Sequence, residues 1–300
     1  MAVKVSLGPV YFYWSKKKLL DFYKEIESSA VDIVYLGEVV CSKRNQLMLS
    51  DWLNIAKRLK DAGKEVVLST LTLIEADSEL KRLMRVCKGS EYLVEANDFA
   101  AINIMSKQNK AFVIGPNVNI YNAPSLNMLA KKGLKRWCFP VELSRVALQD
   151  TIKEKDKNIE VEVFVFGNLP LAFSARCFTA RAYNIDKDAC KHKCLDHKEG
   201  LLLSTQENKP FLIMNGIQTM SANSLNLIGQ VEIMREIGVD IIRVSPQFTD
   251  TRKIIKIFKN RAENLIDSNT ATEKLRLLNS GPYCDGYWFE KEGMKRVKSA

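Results

Sequence analysis

No stretch of the sequence approaches the roughly 20 uninterrupted apolar residues that a membrane-spanning helix needs, although 46% of its 300 residues are apolar. The opening MAVKVSLGPV has no basic segment leading into a long apolar one, so it does not read as a secretory signal. The expectation is a protein that stays in the cytoplasm. Internal repeats and low-complexity linkers are also missing, and 300 residues suffice for one large core or two small ones. The positive charge is not gathered either. A net charge of +10 suggests an anionic partner such as nucleic acid, an acidic lipid surface or an acidic protein. Outside Lys16-Lys17-Lys18 and the Lys295–Lys298 tail, however, the lysines are scattered, with no basic stripe interleaved by aromatics. That distribution favours a solvated surface over a nucleic-acid footprint.

What the sequence does have is a regular alternation of short β-branched runs with amphipathic stretches, the pattern of βα units with parallel strands. Strands are expected at Val3–Val10, Val31–Gly37, Glu65–Thr70, Glu91–Ala96, Ala111–Val118, Arg136–Val141, Glu160–Gly167 and Val239–Pro246. Helices are expected at Asp51–Ala62, Asp77–Lys88, Asp98–Gln108, Ser125–Lys132, Ser144–Lys155, Ser221–Ile237 and Thr251–Asn264. Eight strands in about 250 residues favour an α/β fold of the (β/α)8 TIM-barrel type over an open doubly wound sheet. The expected organisation is a single barrel-like domain over 1–300, with a cysteine-rich loop after the seventh strand.

That loop, Leu169–Asn208, breaks the rhythm, and a connection of this length is usually functional or disordered. It carries Cys177, Cys190 and Cys194, three of seven cysteines within eighteen positions. In a reducing compartment thiols point to metal binding or catalysis rather than disulfides, and the odd count agrees. The spacing is Cys-x12-Cys-x3-Cys, so a fourth ligand must come from elsewhere. Cys41 lies just beyond the carboxyl end of the second strand, as Cys177 follows that of the seventh, and in a parallel barrel both ends open on one face. Three readings compete for the set: a [4Fe-4S] cluster, a structural zinc, and unliganded thiols. His192 and His197 are candidate zinc ligands, although their charged flanks favour solvated loop positions. Cys87 and Cys138 read as packed core thiols, and Cys284 as a residue that could line the barrel mouth. Other polar residues at expected strand ends are Glu38, Thr70, Glu95, Asn97, Asn117, Asn119, Glu142, Asn215 and Arg243. For any one of them, helix capping or loop bonding is the simpler role. Arg176 and Arg181 flank the first loop cysteine, where they could steady a cluster, bind an anion or face solvent.

The segments SLGPVYFYW at 6–14, YLGEVVCSKR at 35–44, RWCFPVELSR at 136–145 and LPLAFSARCFTAR at 169–181 are distinctive in combination, as are NGIQTMS at 215–221, RVSPQ at 243–247 and CDGYW at 284–288. Together they resemble the collagenase-like U-type peptidase family over nearly the whole chain. The resemblance implies a [4Fe-4S] cluster on Cys41, Cys177, Cys190 and Cys194. It also implies oxygen-independent hydroxylation in ubiquinone biosynthesis during anaerobic growth, in a heterodimer with a second family member, UbiU, and in the company of other proteins of that pathway. Related members hydroxylate RNA, so a zinc-stabilised RNA-binding or RNA-hydroxylating protein is the alternative. Peptidase-like members carry a VHG-type sequence, whereas Val165-Phe166-Gly167 lacks its histidine. A nucleophilic cysteine needs an adjacent base, so proteolysis is not expected.

Overall fold

The computed structural model describes residues 3–89, 91–278 and 281–297, so Lys298 of the basic tail lies outside the described residues. In chain order, the first elements are β1 (Lys4–Leu7), α1 (Lys16–Glu27), β2 (Ile33–Leu36), α2 (Leu49–Asp61), β3 (Glu65–Ser69) and α3 (Asp77–Gly89). They are followed by β4 (Leu93–Ala96), α4 (Phe99–Lys107), β5 (Phe112–Ile114), α5 (Ala123–Ala130), β6 (Leu134–Cys138) and α6 (Arg145–Glu154). The chain continues through β7 (Glu160–Phe173), α7 (Phe178–Ala182), β8 (Leu201–Ser204), β9 (Pro210–Asn215), β10 (Gln218–Asn226) and α8 (Val231–Glu236). It ends with β11 (Ile241–Val244), α9 (Thr251–Ala262), α10 (Ser268–Leu278) and β12 (Tyr283–Cys284).

Strands β1 to β7 pair in sequence, all parallel. Then β7 pairs with β11 and β11 with β1, also parallel, which closes an eight-stranded barrel. The fold is therefore TIM-barrel-like, as the alternating pattern predicts. Six of the eight expected strands enclose the observed ones. The sixth lies two residues earlier, and the seventh runs on to Phe173. Side chains alternate across the wall. Val5, Leu7, Val34, Leu36, Val66 and Leu68 face the helices, where they join the larger apolar core. A smaller inner cluster holds Ile33, Tyr35, Val67, Val113 and Ile241.

One expected helix is overturned. Residues 221–226 of the expected Ser221–Ile237 helix belong to strand β10, and only Val231–Glu236 is α-helical. The cause is tertiary: β7 continues past the barrel rim, and its outer half needs a partner. β10 supplies one, antiparallel, and pairs in turn with β9, which pairs with β8. Helix α1 was masked in the sequence by its three lysines. Its inner face is nevertheless regular, with Leu19, Phe22, Tyr23 and Ile26 buried at helical spacing and the Ser15 side chain accepting from the Lys18 N–H. The Leu169–Asn208 interval is likewise more ordered than a loop, since it contains the end of β7, α7 and β8.

Candidate metal centre

Two connections at the carboxyl ends of the strands meet above the barrel: the β2–α2 turn with Cys41, and the segment after β7 with Cys177, Cys190 and Cys194. Three contacts tie them, and a fourth brings in a third connection. Lys43 Nζ donates to the Lys187 carbonyl (2.7 Å) and pairs with Asp188 Oδ1 (2.5 Å). His192 Nε2 donates to the Lys43 carbonyl (3.0 Å). From the β1–α1 connection, Trp14 Nε1 donates to the Lys198 carbonyl (3.2 Å).

Each cysteine of this set is partly buried, none in a disulfide. Burial pushes the Cys41 thiol up, Arg44 opposes that rise and Cys177 adds to it. Burial likewise raises Cys194, with Arg44 opposing and Cys177 and Cys190 reinforcing. Cys177 precedes α7, and the Ala180 N–H donates to its sulfur (3.4 Å). Cys41 is fixed through its backbone, because Glu38 Oε1 accepts from the N–H groups of Val40 (2.9 Å) and Cys41 (3.1 Å). Among the described residues, no three His, Cys, Asp or Glu side chains form a group that would hold one metal ion. A cubane binds each thiolate to a different iron, so its ligands stand further apart than the ligands of a single zinc, whose Zn–S bonds are about 2.3 Å. The donor set, four soft thiols beside a buried cation, fits an anionic iron–sulfur group in its chemistry.

The histidines are engaged elsewhere. His192 bonds to the Lys43 carbonyl, and His197 Nε2 lies 2.6 Å from the Tyr183 hydroxyl. Arg176 and Arg181 are both exposed. Cys87 and Cys138 are fully buried, and Cys284 is buried in β12, where its thiol donates to the Asn223 carbonyl. At the VHG-type position, Phe166 is buried and packs edge-on against Phe258, so no base stands there.

The other strand-end candidates divide. Glu38 anchors the Cys41 turn. The Thr70 hydroxyl donates to the Glu95 carbonyl (2.9 Å) and accepts from the Asn97 N–H (3.1 Å), a purely local role. Asn117 donates to Thr72 (3.4 Å), Asn119 ends a short turn in the left-handed region, and Glu142 pairs with Tyr121. Asn215 belongs to β9, outside the barrel wall. Arg243 and Glu95 do not line an open mouth; they are sealed inside the barrel. Arg243 donates to Glu95 Oε1 (2.7 Å) and to both Glu162 oxygens (3.0 and 2.9 Å), and stacks 3.9 Å above the Tyr35 ring. Glu162 also accepts from Ser6 and from the Tyr35 hydroxyl (2.5 Å). Sequence reasoning missed Glu162 and Arg136, inward residues of β7 and β6 whose signal was a charge within a mostly buried strand. It also missed Arg44, which shows no signal in spacing.

Comparison with known proteins adds to this geometry. The family model described as Peptidase family U32 matches residues 20–298. The tRNA hydroxylation protein P1 of Bacillus subtilis (strain 168) is 25% identical in a match that covers 54% of this chain and 43% of that protein. The chain thus matches less than half the length of that relative. Among solved structures, the U32 peptidase Mk0906 superposes with a TM-score of 0.45 at 11% identity, over 82% of this chain and 94% of that one. N-acetylneuraminate lyase from Aliivibrio salmonicida superposes with a TM-score of 0.49 at 10% identity, over 92% and 79%.

Proposed function

The chain belongs to peptidase family U32, and from that premise we propose that it is the iron–sulfur subunit of an oxygen-independent hydroxylase, of the UbiV type. In this reading it works in the cytoplasm as a heterodimer with UbiU and hydroxylates the aromatic ring of ubiquinone precursors during anaerobic growth. Cys41, Cys177, Cys190 and Cys194 hold one [4Fe-4S] cluster, and residues 169–208 are the cluster-binding segment of a single 1–300 unit. One observation carries the proposal: two connections far apart in sequence, bearing Cys41 on one side and Cys177, Cys190 and Cys194 on the other, meet on the carboxyl face of the barrel and are tied there through Lys43, Asp188 and His192. The tRNA hydroxylation relative supports the reaction class.

A cluster held by four thiolates supplies one-electron transfer and has no open iron site. The chain's own residues then do the remaining work. Glu38 fixes the Cys41 backbone, the Ala180 N–H points at the Cys177 sulfur, and the Lys43–Asp188 pair closes the two connections on each other.

The test is metal and sulfide analysis of protein co-expressed with UbiU and purified without air. The expected result is a brown protein with about four irons and four sulfides per chain, lost in Cys177→Ala and Cys190→Ala. Colourless, zinc-rich protein overturns the cluster.

The named relative also favours a second reading, hydroxylation of RNA. Anaerobic cells lacking the gene separate the two. Loss of quinone with unchanged tRNA supports the first reading, and loss of a tRNA hydroxyl with normal quinone supports the second.

A further inference from the structure

We infer that Arg44 is the positioning charge of the thiol centre: it clamps the Cys41 turn to the turn between β9 and β10 and holds a full positive charge beside the cluster, which favours the cluster's reduced state. The inference rests on the cluster reading above and adds to it a residue that sets the centre's potential.

The argument begins with burial. Arg44 is 3% exposed, and withdrawing a guanidinium from water is costly unless an opposite charge answers it. Its direct hydrogen-bond partners are neutral. Nη1 donates to the Tyr11 carbonyl (2.6 Å), and Nη2 to the Asn215 side-chain oxygen (2.7 Å) and carbonyl (3.3 Å). Nε has no partner although it is buried. The Tyr13 ring lies 5.4 Å from the guanidinium carbon. Among the described residues its one carboxylate is Glu38 at 3.9 Å. That carboxylate is already engaged by two backbone N–H groups.

The contrast with Arg243 is direct. Arg243 is equally buried, but it touches two carboxylates within 3.0 Å and is neutralised inside the barrel. Arg44 has no such pairing. What remains beside it is the thiol centre: its own N–H closes the Cys41 turn, and its guanidinium lies against Gly216, which receives the chain leaving Cys177. A four-thiolate iron–sulfur centre carries net negative charge, so it supplies a counter-charge beyond the single, more distant carboxylate of Glu38.

The clamp is also steric. Arg44 N–H donates to the Cys41 carbonyl (3.0 Å), closing the turn that presents the thiol. Its other end lies under the β9–β10 turn, where Gly216 has φ +69° and a Cβ would sit 3.1 Å from Nη2. Gly216 in turn receives the chain that leaves Cys177: the Phe178 N–H donates to its carbonyl (2.8 Å), and its own N–H donates to Thr179 Oγ1 (3.0 Å). Arg44 therefore touches the Cys41 turn directly and the Cys177 segment through one glycine.

Reduction adds one electron, from dithionite in the titration, and forms or breaks no bond. A neighbouring cation stabilises the more negative product. The experiment is a reductive titration of anaerobically purified heterodimer, followed by absorption and electron paramagnetic resonance, with iron and sulfide content measured alongside. In Arg44→Gln the reduced state is expected to become about tenfold less favoured, equivalent to 59 mV for one electron. Arg44→Lys keeps the charge and is expected to retain most of the wild-type potential. Asn215→Asp preserves the acceptor for Nη2 while cancelling the charge, so it shifts the potential as Arg44→Gln does and serves where that variant does not accumulate. A wild-type potential in Arg44→Gln or Asn215→Asp overturns the inference and leaves the cluster reading standing. Equal shifts in Arg44→Gln and Arg44→Lys overturn it too, by reducing Arg44 to a structural role. Wild-type heterodimer without iron and sulfide overturns both readings.

Discussion

Glu162 and Arg243 give the clearest residue-scale case of charge placed where water cannot reach. Burial works to raise the Glu162 carboxyl, but the charge and hydrogen bonds of Arg243, with Arg136 and Ser6, outweigh it and hold the group below its ordinary value. Glu162→Gln leaves Arg243 only Glu95 as a counter-charge. Breaking a buried pair in this way costs about 3–5 kcal/mol, which urea unfolding at neutral pH should register. The pH dependence has a definite sign. A carboxyl whose folded pKa is depressed contributes stability above its unfolded pKa of about 4.3, and that contribution is lost as pH falls through the folded value. The stability gap between wild type and Glu162→Gln should therefore be widest near neutrality and narrow below about pH 4. A gap independent of pH would mean that Glu162 is not ionised in the fold. At this scale the thiols were legible in the sequence, because cysteine is scarce and its clustering after a strand is conspicuous. Arg44, Arg136 and Glu162 were not, because a charge on a buried strand or turn looks the same as a solvated one until its partners are known.

Among the elements, the β2–α2 connection depends on a glycine. Gly37 adopts φ +139°, and a Cβ there would meet the Ser69 carbonyl oxygen at 2.4 Å. That oxygen belongs to the neighbouring strand, so it cannot swing aside. Gly37→Ala should destabilise the protein by at least about 1–3 kcal/mol from backbone strain and displace Glu38 and Cys41 together. Thermal unfolding and iron content should fall in parallel; an unchanged iron content would separate the turn from the centre. The β8–β9 hairpin behaves oppositely. Among the described residues β8 pairs only with β9, and Leu202 and Leu203 are exposed. Leu202→Lys is expected to change stability by no more than about 0.5 kcal/mol and to reduce self-association, since charge on an edge strand opposes pairing with other chains. The barrel strands were readable because each is a short apolar run set off by turn residues. β10 was misread as helix because its pairing partner, the outer half of β7, lies about 50 residues away and local pattern carries no trace of it.

For the whole molecule, the question is whether the +10 charge marks an RNA footprint. Much of the basic surface is already answered by acids: Lys43 with Asp188, Lys187 with Glu75, Arg58 with Glu27, Lys259 with Asp32 and Glu263. Arg136 pairs with Glu65 and Glu160 inside the barrel, where no phosphate can reach it. A dispersed excess of this kind should attract RNA only weakly. Each phosphate neutralised on single-stranded RNA contributes about −0.7 to the slope of log K against log salt. For this protein, a fluorescence-anisotropy titration with tRNA between 50 and 200 mM salt is expected to give a shallow slope, corresponding to about two or three phosphates. A slope several times steeper, with sub-micromolar binding at 150 mM salt, would transfer the weight of the functional reading from quinone precursors to RNA. This measurement bears on the substrate alone, and the metal analysis proposed for Cys41, Cys177, Cys190 and Cys194 is an independent test.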